Sequence, residues 1–401
     1  MTSGGSTGSL FGAGDAALGY LYQIRHALLE SLQRLAKGQI FSICLETLDD
    51  VTFEPSGSPV ELFQLKHHLK SAANLSDSSS DIWKTLRVWI TGLSDGKIPR
   101  DARLCLVTTS PTAGNAVAAK LGVDGRDEVG AVAALSDVAA TSMNADNAKA
   151  YKLFLCLSER EKLDLVGSIT IVARSPNIGD IETGLIEYAR TAVRRDVAWS
   201  FLARLEGWWF VQCQKHLIEQ SMTPIVSAAL ESEIDELRDQ FLLDSLPVDE
   251  DILQAEVTLA AFEDSIFVHQ ARLAQVSPKR VVAAVRDYYR AFEQRSRWMR
   301  ENLLLFGELD KYERTLREEW EIVFERAVDE LGDDAAEDAM TKTARDIYKW
   351  AETSCFPIRV RVSNASMSRG SLHMLADKRA VGWHPKFLER LEAMLTSRPA
   401  A

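Results

Sequence analysis

Hydrophobic positions along the first third of the chain change period twice. Leu18, Leu21, Ile24, Leu28, Leu29 and Leu32 recur at helical spacing, and Gly38 closes the run, so a helix is expected over residues 14–37. In FSICLETLDDVTFE (41–54) the apolar residues Phe41, Ile43, Leu45, Val51 and Phe53 all fall on odd positions, the alternation of a strand. PSGSP (55–59) is a turn by composition, and VELFQLKHH (60–68) reads as a second strand. The polar run 71–81 reads as a loop whose last Ser-Asp can cap the helix IWKTLRVWITGL. ARLCLVTTS (102–110) is a third strand. Residues 115–250 read as mainly helical with one strand-like segment, SITIVARS (168–175), and residues 251–401 as helical with a short β-like piece, FPIRVRV (356–362). The two tryptophans of EGWWFVQ (206–212) read as core residues. The expected fold is therefore an α/β N-terminal core followed by a mainly α-helical remainder. Its expected divisions are a flexible leader over 1–13, an α/β domain over 14–125, a helical middle region over 126–250 and a helical C-terminal interaction domain over 251–401.

If the two strands flanking the 55–59 turn pair so that partners sum to 114, Asp50 faces Gln64, Leu48 faces Lys66, and Val51 faces Phe63. Opposed residues on antiparallel strands share a face. Val51, Phe53, Phe63 and Leu65 then form the core face. Asp50, Gln64 and Lys66, with Glu46 further along, gather on the side expected to point away from the core. A carboxylate, an amide oxygen and an ammonium group so placed suit phosphodiester hydrolysis. A hard divalent cation, Mg²⁺ or Mn²⁺, takes oxygen ligands and keeps several waters; Asp50 and Gln64 are the expected ligands. Lys66 is expected to orient the attacking water and to offset charge on the phosphate. Asp49 is the rival for the metal role if a bulge at the Asp-Asp pair exchanges the two. Glu46 reads first as a solvated strand-edge residue. His67 reads as a packed histidine.

These segments (GYLYQIRHALLESL, ICLETLDDV and VELFQLKHH) resemble the Mrr-like branch of the PD-(D/E)xK nucleases, which carries QxK in place of (D/E)xK. The resemblance covers about residues 15–125 and is nearest to the endonuclease domain of CBASS effectors with a SAVED sensor and of HerA-associated defence nucleases. It implies a restriction-endonuclease-like fold, double-stranded DNA as substrate and catalytic roles for Asp50, Gln64 and Lys66. In that family the first helix adds an acidic residue; Gln23 stands at that place here, and Glu30, seven residues on, is its possible substitute. RGSLHMLADKRAVGWHPKF (369–387) resembles C-terminal regions of ABC-three-component defence proteins, and no catalytic residue follows from it.

Charge and composition change the picture in three respects. The net charge is −12, yet residues 1–125 hold eleven Lys/Arg against twelve Asp/Glu, so nearly all the excess lies beyond residue 125. If one part meets nucleic acid, the N-terminal part meets the smaller repulsion. Five cysteines without a CxxC pair argue against a disulfide framework or a structural zinc site and suit the cytoplasm. No apolar run reaches membrane-spanning length and no secretory signal opens the chain. The run 279–300 mixes arginines with aromatics; an amphipathic helix with Val282, Val285, Tyr289, Phe292 and Trp298 inward is expected there rather than a nucleic-acid surface. Trp383 and His384 read as a structural turn. The chain has no P-loop, so any ATP use falls to a partner of HerA or ABC type. A homo-oligomer is expected because one metal site cuts one strand at a time. The expected function is thus a metal-dependent DNA endonuclease of an antiphage system, the rival being a non-catalytic adaptor that uses the same fold as a platform.

Overall fold

The computed structural model describes residues 10–57, 59–66, 75–218, 223–332 and 334–396. By internal contacts the chain divides into two units, 1–192 with 201–236, and 193–200 with 237–401.

The first unit opens with α1 (Leu10–Ala36), followed by β1 (Phe41–Leu45), β2 (Val51–Pro55), β3 (Glu61–Lys66), α2 (Ser80–Ser94) and β4 (Arg103–Thr108). Then come α3 (Val117–Lys120), α4 (Glu128–Thr141), α5 (Ala148–Leu155), α6 (Glu159–Ser168) and β5 (Ile169–Val172). It ends with α7 (Ile178–Ala192), α8 (Ala198–Ile218), β6 (Ile225–Val226) and α9 (Ser227–Gln240). The leader expected over 1–13 is shortened, because the helix already includes 10–13; residues 1–9 lie outside the described part. Helix α1 ends where expected: Gly38 takes φ +70° and its N–H bonds Leu35 O.

Six strands form one mixed sheet in the order β5-β4-β3-β2-β1-β6. β3, β4 and β5 run parallel, and the other neighbours are antiparallel. β5 and β6 come from the stretch expected to be the helical middle region and extend the sheet at both edges.

The segment 41–54 is two strands, not the one expected. The chain reverses at 46–50: Glu46 takes φ +51°, its N–H bonds Asp50 O at 3.1 Å, and Thr47 Oγ1 donates to Leu45 O. In the resulting hairpin Ile43 pairs with Phe53 and Leu45 with Val51. Odd positions pair with odd positions, so the apolar alternation passes through the turn unbroken, and periodicity alone does not reveal it. On the other side, Val51 pairs with Phe63, the register expected from the 55–59 turn.

Both faces of this sheet are covered. On one face Phe53 and Phe63 meet Arg34 of α1, whose guanidinium carbon lies 4.3 Å from the Phe53 ring centroid. On the other, Leu62, Leu104, Leu106, Ile169 and Ile171 pack with Ile82, Trp83, Leu86, Trp89 and Ile90 of α2. α1 is backed in turn by α7 and α8: Gly184 leaves room for Leu29, and Trp209 Nε1 donates to Ile24 O. Trp208 is only partly buried.

The second unit holds α10 (Glu250–Leu253), α11 (Ile266–Leu273), α12 (Pro278–Arg300), α13 (Glu308–Leu331), α14 (Glu337–Thr353), α15 (Ala365–Asp377) and α16 (Phe387–Thr396). α12 is amphipathic as expected, but its inward face is rotated. Val281, Ala284, Val285, Ala291 and Trp298 are buried, whereas Val282 and Phe292 are exposed. Close packing against α15 sets that rotation. A Cβ at Gly370 would lie 1.9 Å from Asp287 O, so only glycine lets the two backbones approach there. Arg295 and Asp287 are buried with the apolar face and paired, Arg295 to Glu313 and Asp287 to Arg369. FPIRVRV is not a strand. Its apparent alternation is inverted: Arg359 turns inward to Glu308, Ser245 O and Leu303 O, while Val360 is exposed. Trp383 and His384 are buried, as a structural turn requires. Among the described residues no helix is long and apolar enough to cross a membrane.

Candidate active site

The residues expected to carry chemistry lie where the 46–50 turn meets the end of β3. Asp50 sits one residue beyond the β2–β3 ladder, and its Oδ2 accepts a 2.7 Å hydrogen bond from Leu65 N–H. That bond sets the carboxylate against the backbone between Gln64 and Lys66. Gln64 pairs with Leu106 and Lys66 with Thr108 across the parallel β3–β4 ladder. Gln64 and Lys66 follow Leu62 at steps of two, so they share the α2 face of the sheet. The expectation that this face is the one turned away from the core is corrected: α2 covers it and Gln64 is buried. Lys66, at the strand end, is only partly buried. Leu48, expected opposite Lys66 in a ladder, lies in the turn instead.

Asp49 is the more buried of the two aspartates. Its Oδ2 accepts Trp89 Nε1–H from α2 at 2.6 Å, and its Oδ1 accepts Asp50 N–H at 3.1 Å. Burial pushes its carboxyl up to about 6; the Asp50 charge adds to the rise, while the Trp89 hydrogen bond and the Lys66 charge oppose it. Glu46 is exposed at the turn. Its carboxyl is raised by partial burial and by Asp50, and Lys66 acts against both. Glu46, Asp49, Asp50 and Lys66 therefore lie within electrostatic reach of one another.

The two residues of α1 separate. Tyr20 feels the charge of Glu46, and Gln23, one helical turn on, is half-buried on the same helix. Glu30 accepts Arg34 Nε–H at 2.8 Å, and Arg34 Nη2–H bonds Glu61 Oε2 at 2.6 Å. Glu61 starts β3 and Lys66 ends it, roughly 16 Å apart along an extended strand. Glu30 is thus anchored at the far end of β3, on the α1 face, and is not brought to Lys66. Sequence reading missed two positioning residues. Trp89 holds Asp49, and His216 of α8 accepts Leu45 N–H on Nε2 at 3.0 Å at the end of β1. With Nε2 accepting, Nδ1 carries the proton and donates to Thr223 O. Only the amphipathic spacing of α2 hinted at the first. His67 and His68 lie outside the described residues.

No cluster of three or more His, Cys, Asp or Glu is arranged as a metal site among the described residues. The donor chemistry nevertheless suits a hard cation: Mg²⁺ uses one or two carboxylates and retains waters. Two adjacent aspartates, one of them held up in pKa by burial, are groups whose charge a cation would offset. Among the described residues, Asp50 Oδ1, the Gln64 amide oxygen and the exposed Glu46 carboxylate are oxygen donors here without a hydrogen bond.

The first unit is thus a mixed α/β sheet domain with a carboxylate–amide–ammonium group at one strand end; the second is a helical domain. Residues 267–391, within the helical unit, match the family model CTD7, C-terminal domain 7 of the ABC-three component (ABC-3C) systems. Over these residues the helical unit is similar to a C-terminal domain of such systems. No curated protein matches the sequence. Among solved structures, the SAVED/CARF-domain Cap4 receptor of Acinetobacter baumannii is similar at 15% identity and a TM-score of 0.33, over 68% of this chain and 60% of that one. The same receptor with the cyclic trinucleotide 3'3'3'-cAAA gives 16%, 0.32, 68% and 57%. The chain spans less than two thirds of either structure, and a likeness of this degree assigns neither fold nor function.

Proposed function

We propose that the protein is a Mg²⁺- or Mn²⁺-dependent double-stranded DNA endonuclease of an antiphage defence system. The reading rests above all on the Asp50–Leu65 hydrogen bond, which sets a carboxylate between Gln64 and Lys66 at the end of β3. Asp50 and Gln64 would hold the cation, which supplies a bound water of lowered pKa and polarises the phosphoryl oxygen. Leu65 N–H orients the Asp50 carboxylate. Trp89 N–H holds Asp49 back against α2, which leaves Asp50 as the forward aspartate and Asp49 as its electrostatic neighbour. Lys66 carries the positive charge that steadies the phosphate as negative charge builds on it.

The helical C-terminal domain is the regulatory half of this reading. Its likeness to a module of three-component systems supports work with partners, among them a separate ATPase of ABC or HerA type, and copies of this chain that would bring two sites to one duplex. The cytoplasm suits its five free cysteines. A second reading, a non-catalytic adaptor, draws support from the same geometry, since both aspartates already accept hydrogen bonds within the fold. Incubating the purified protein with supercoiled plasmid separates the two. Nicking or linearisation with Mg²⁺ that EDTA stops supports the nuclease, and DNA binding without cleavage in Mg²⁺ or Mn²⁺, with and without the partner ATPase, supports the adaptor.

A further inference from the structure

Beside the candidate active site lies a cavity of about 290 Å³, walled by Thr47 and Leu48 of the β1–β2 turn and by Arg87, Thr91, Lys97 and Ile98. Its wall is continuous with the site. Leu48 precedes Asp49, and Asp49 bonds Trp89, two residues from Arg87 on α2.

The loop after α2 is shaped to present Lys97 there. Gly92 O accepts both Lys97 N–H and Ile98 N–H, at 2.9 and 3.0 Å. A Cβ at Gly92 would lie 2.6 Å from Ile98 Cδ1, so glycine is what lets Ile98 form the floor. Arg87 is exposed and, among the described residues, makes no hydrogen bond or ion pair. Lys97 is 72% exposed and 3.7 Å from Asp95, the one acid in the lining. The Thr47 hydroxyl is already bonded to Leu45 O. Arg87, Lys97 and the Thr91 hydroxyl, against the one carboxylate of Asp95, give the lining a net charge of +1 in a protein of net charge −12. Groups of this kind hold nucleic-acid backbone phosphates.

Spacing argues for the same ligand. Leu48 and Asp50 are two residues apart, at most about 7 Å between Cα atoms. Each nucleotide rises about 3.4 Å along a strand. A strand with one phosphate at Asp50 and Lys66 thus reaches this cavity within one or two nucleotides. We propose that the cavity between the β1–β2 turn and α2, with Arg87 and Lys97 at its rim, seats a backbone phosphate flanking the one addressed by Asp50 and Lys66. The proposal rests on the nuclease reading for its register, but its binding chemistry can be tested apart from cleavage.

The test uses the full chain and a fluorescein-labelled 24-base-pair duplex, with anisotropy read in EDTA over a range of KCl concentrations. Arg87→Ala/Lys97→Ala should bind at least about fivefold more weakly, with a log–log salt slope shallower by about one, as for one phosphate lost. Arg87→Lys/Lys97→Arg should bind like the parent, and Asp95→Asn should bind more tightly. Equal affinity and slope in the parent and the alanine pair overturn the proposal, as does a parent that binds no DNA. Plasmid incubation with Mg²⁺ reads the catalytic assignment separately. Binding that depends on Arg87 and Lys97 without cleavage sinks the nuclease reading and leaves the subsite standing. Cleavage with binding indifferent to the pair does the reverse.

Discussion

Asp50 Oδ2 and the Leu65 amide are joined at 2.7 Å, so one carboxylate holds the end of a strand ladder and, in the proposed reading, also serves the site of Gln64 and Lys66. The two roles can be separated. Asp50→Ala leaves a part-buried N–H without its acceptor and should lower stability by about 1–2 kcal/mol. Asp50→Asn keeps an acceptor oxygen and should lose less than half of that, while cleavage falls on the order of 100-fold or more in both. Urea unfolding beside plasmid cleavage checks this; equal destabilisation by Asn and Ala would show that the carboxylate charge, not its acceptor oxygen, holds the strand end.

The Asp49–Trp89 bond ties the turn to α2. Trp89→Phe keeps most of the ring and removes the donor, leaving a buried carboxyl without it. A loss of about 2 kcal/mol is expected. In a double-mutant cycle with Asp49→Ala the coupling should be on the order of 1 kcal/mol. Additive losses would mean that the 2.6 Å contact contributes packing alone.

Much of this fold is legible in the residues. Gly38 marks the end of α1, and the 55–59 turn sets the register of β2 on β3. The reversal at 46–50 is not legible, because five intervening residues preserve the odd–even parity across it. Nor is the cover over Gln64 and Lys66: a face bearing polar residues looks solvent-directed until α2 is found packed beside Leu62. Gln23 and Glu30 are equivalent by helical spacing. They are distinguished only by Arg34, which ties Glu30 to Glu61 at the start of β3. Arg359 shows the opposite failure, since an inward arginine in FPIRVRV mimics the polar phase of a strand.

Arg34 itself is a stability element. It is largely buried, pairs two carboxylates and lies over Phe53. Arg34→Met keeps the bulk but leaves Glu30 without its cation and Glu61 with only the exposed Arg103, 3.5 Å away, at a cost of about 3 kcal/mol. Chemical denaturation should show this, with cleavage per folded molecule little changed. Full stability in Arg34→Met would mean that the two acids are satisfied by water.

His373 makes the helical unit sensitive to acid. Its ring packs against Phe267, Tyr348 and Trp383, and burial pulls its pKa down to about 4. The unfolded chain takes up this proton near pH 6.5, the folded chain only near 4. Between those values the unfolded state binds more protons, so the stabilisation present above pH 6.5 is lost as pH falls, by up to about 1.4 kcal/mol per pH unit. His373→Gln should flatten that slope in thermal melts between pH 6.5 and 4. An unchanged slope would assign the acid sensitivity to other groups.

The account turns on Lys66, a partly buried cation at the end of β3, within reach of Asp49 and Glu46. The most direct measurement is the rate of plasmid nicking in Mg²⁺ by the parent and by Lys66→Ala, both shown to be folded by circular dichroism. The account predicts a drop on the order of 100-fold or more for Lys66→Ala, with duplex binding within about threefold of the parent. Nicking by Lys66→Ala at the parental rate would contradict it.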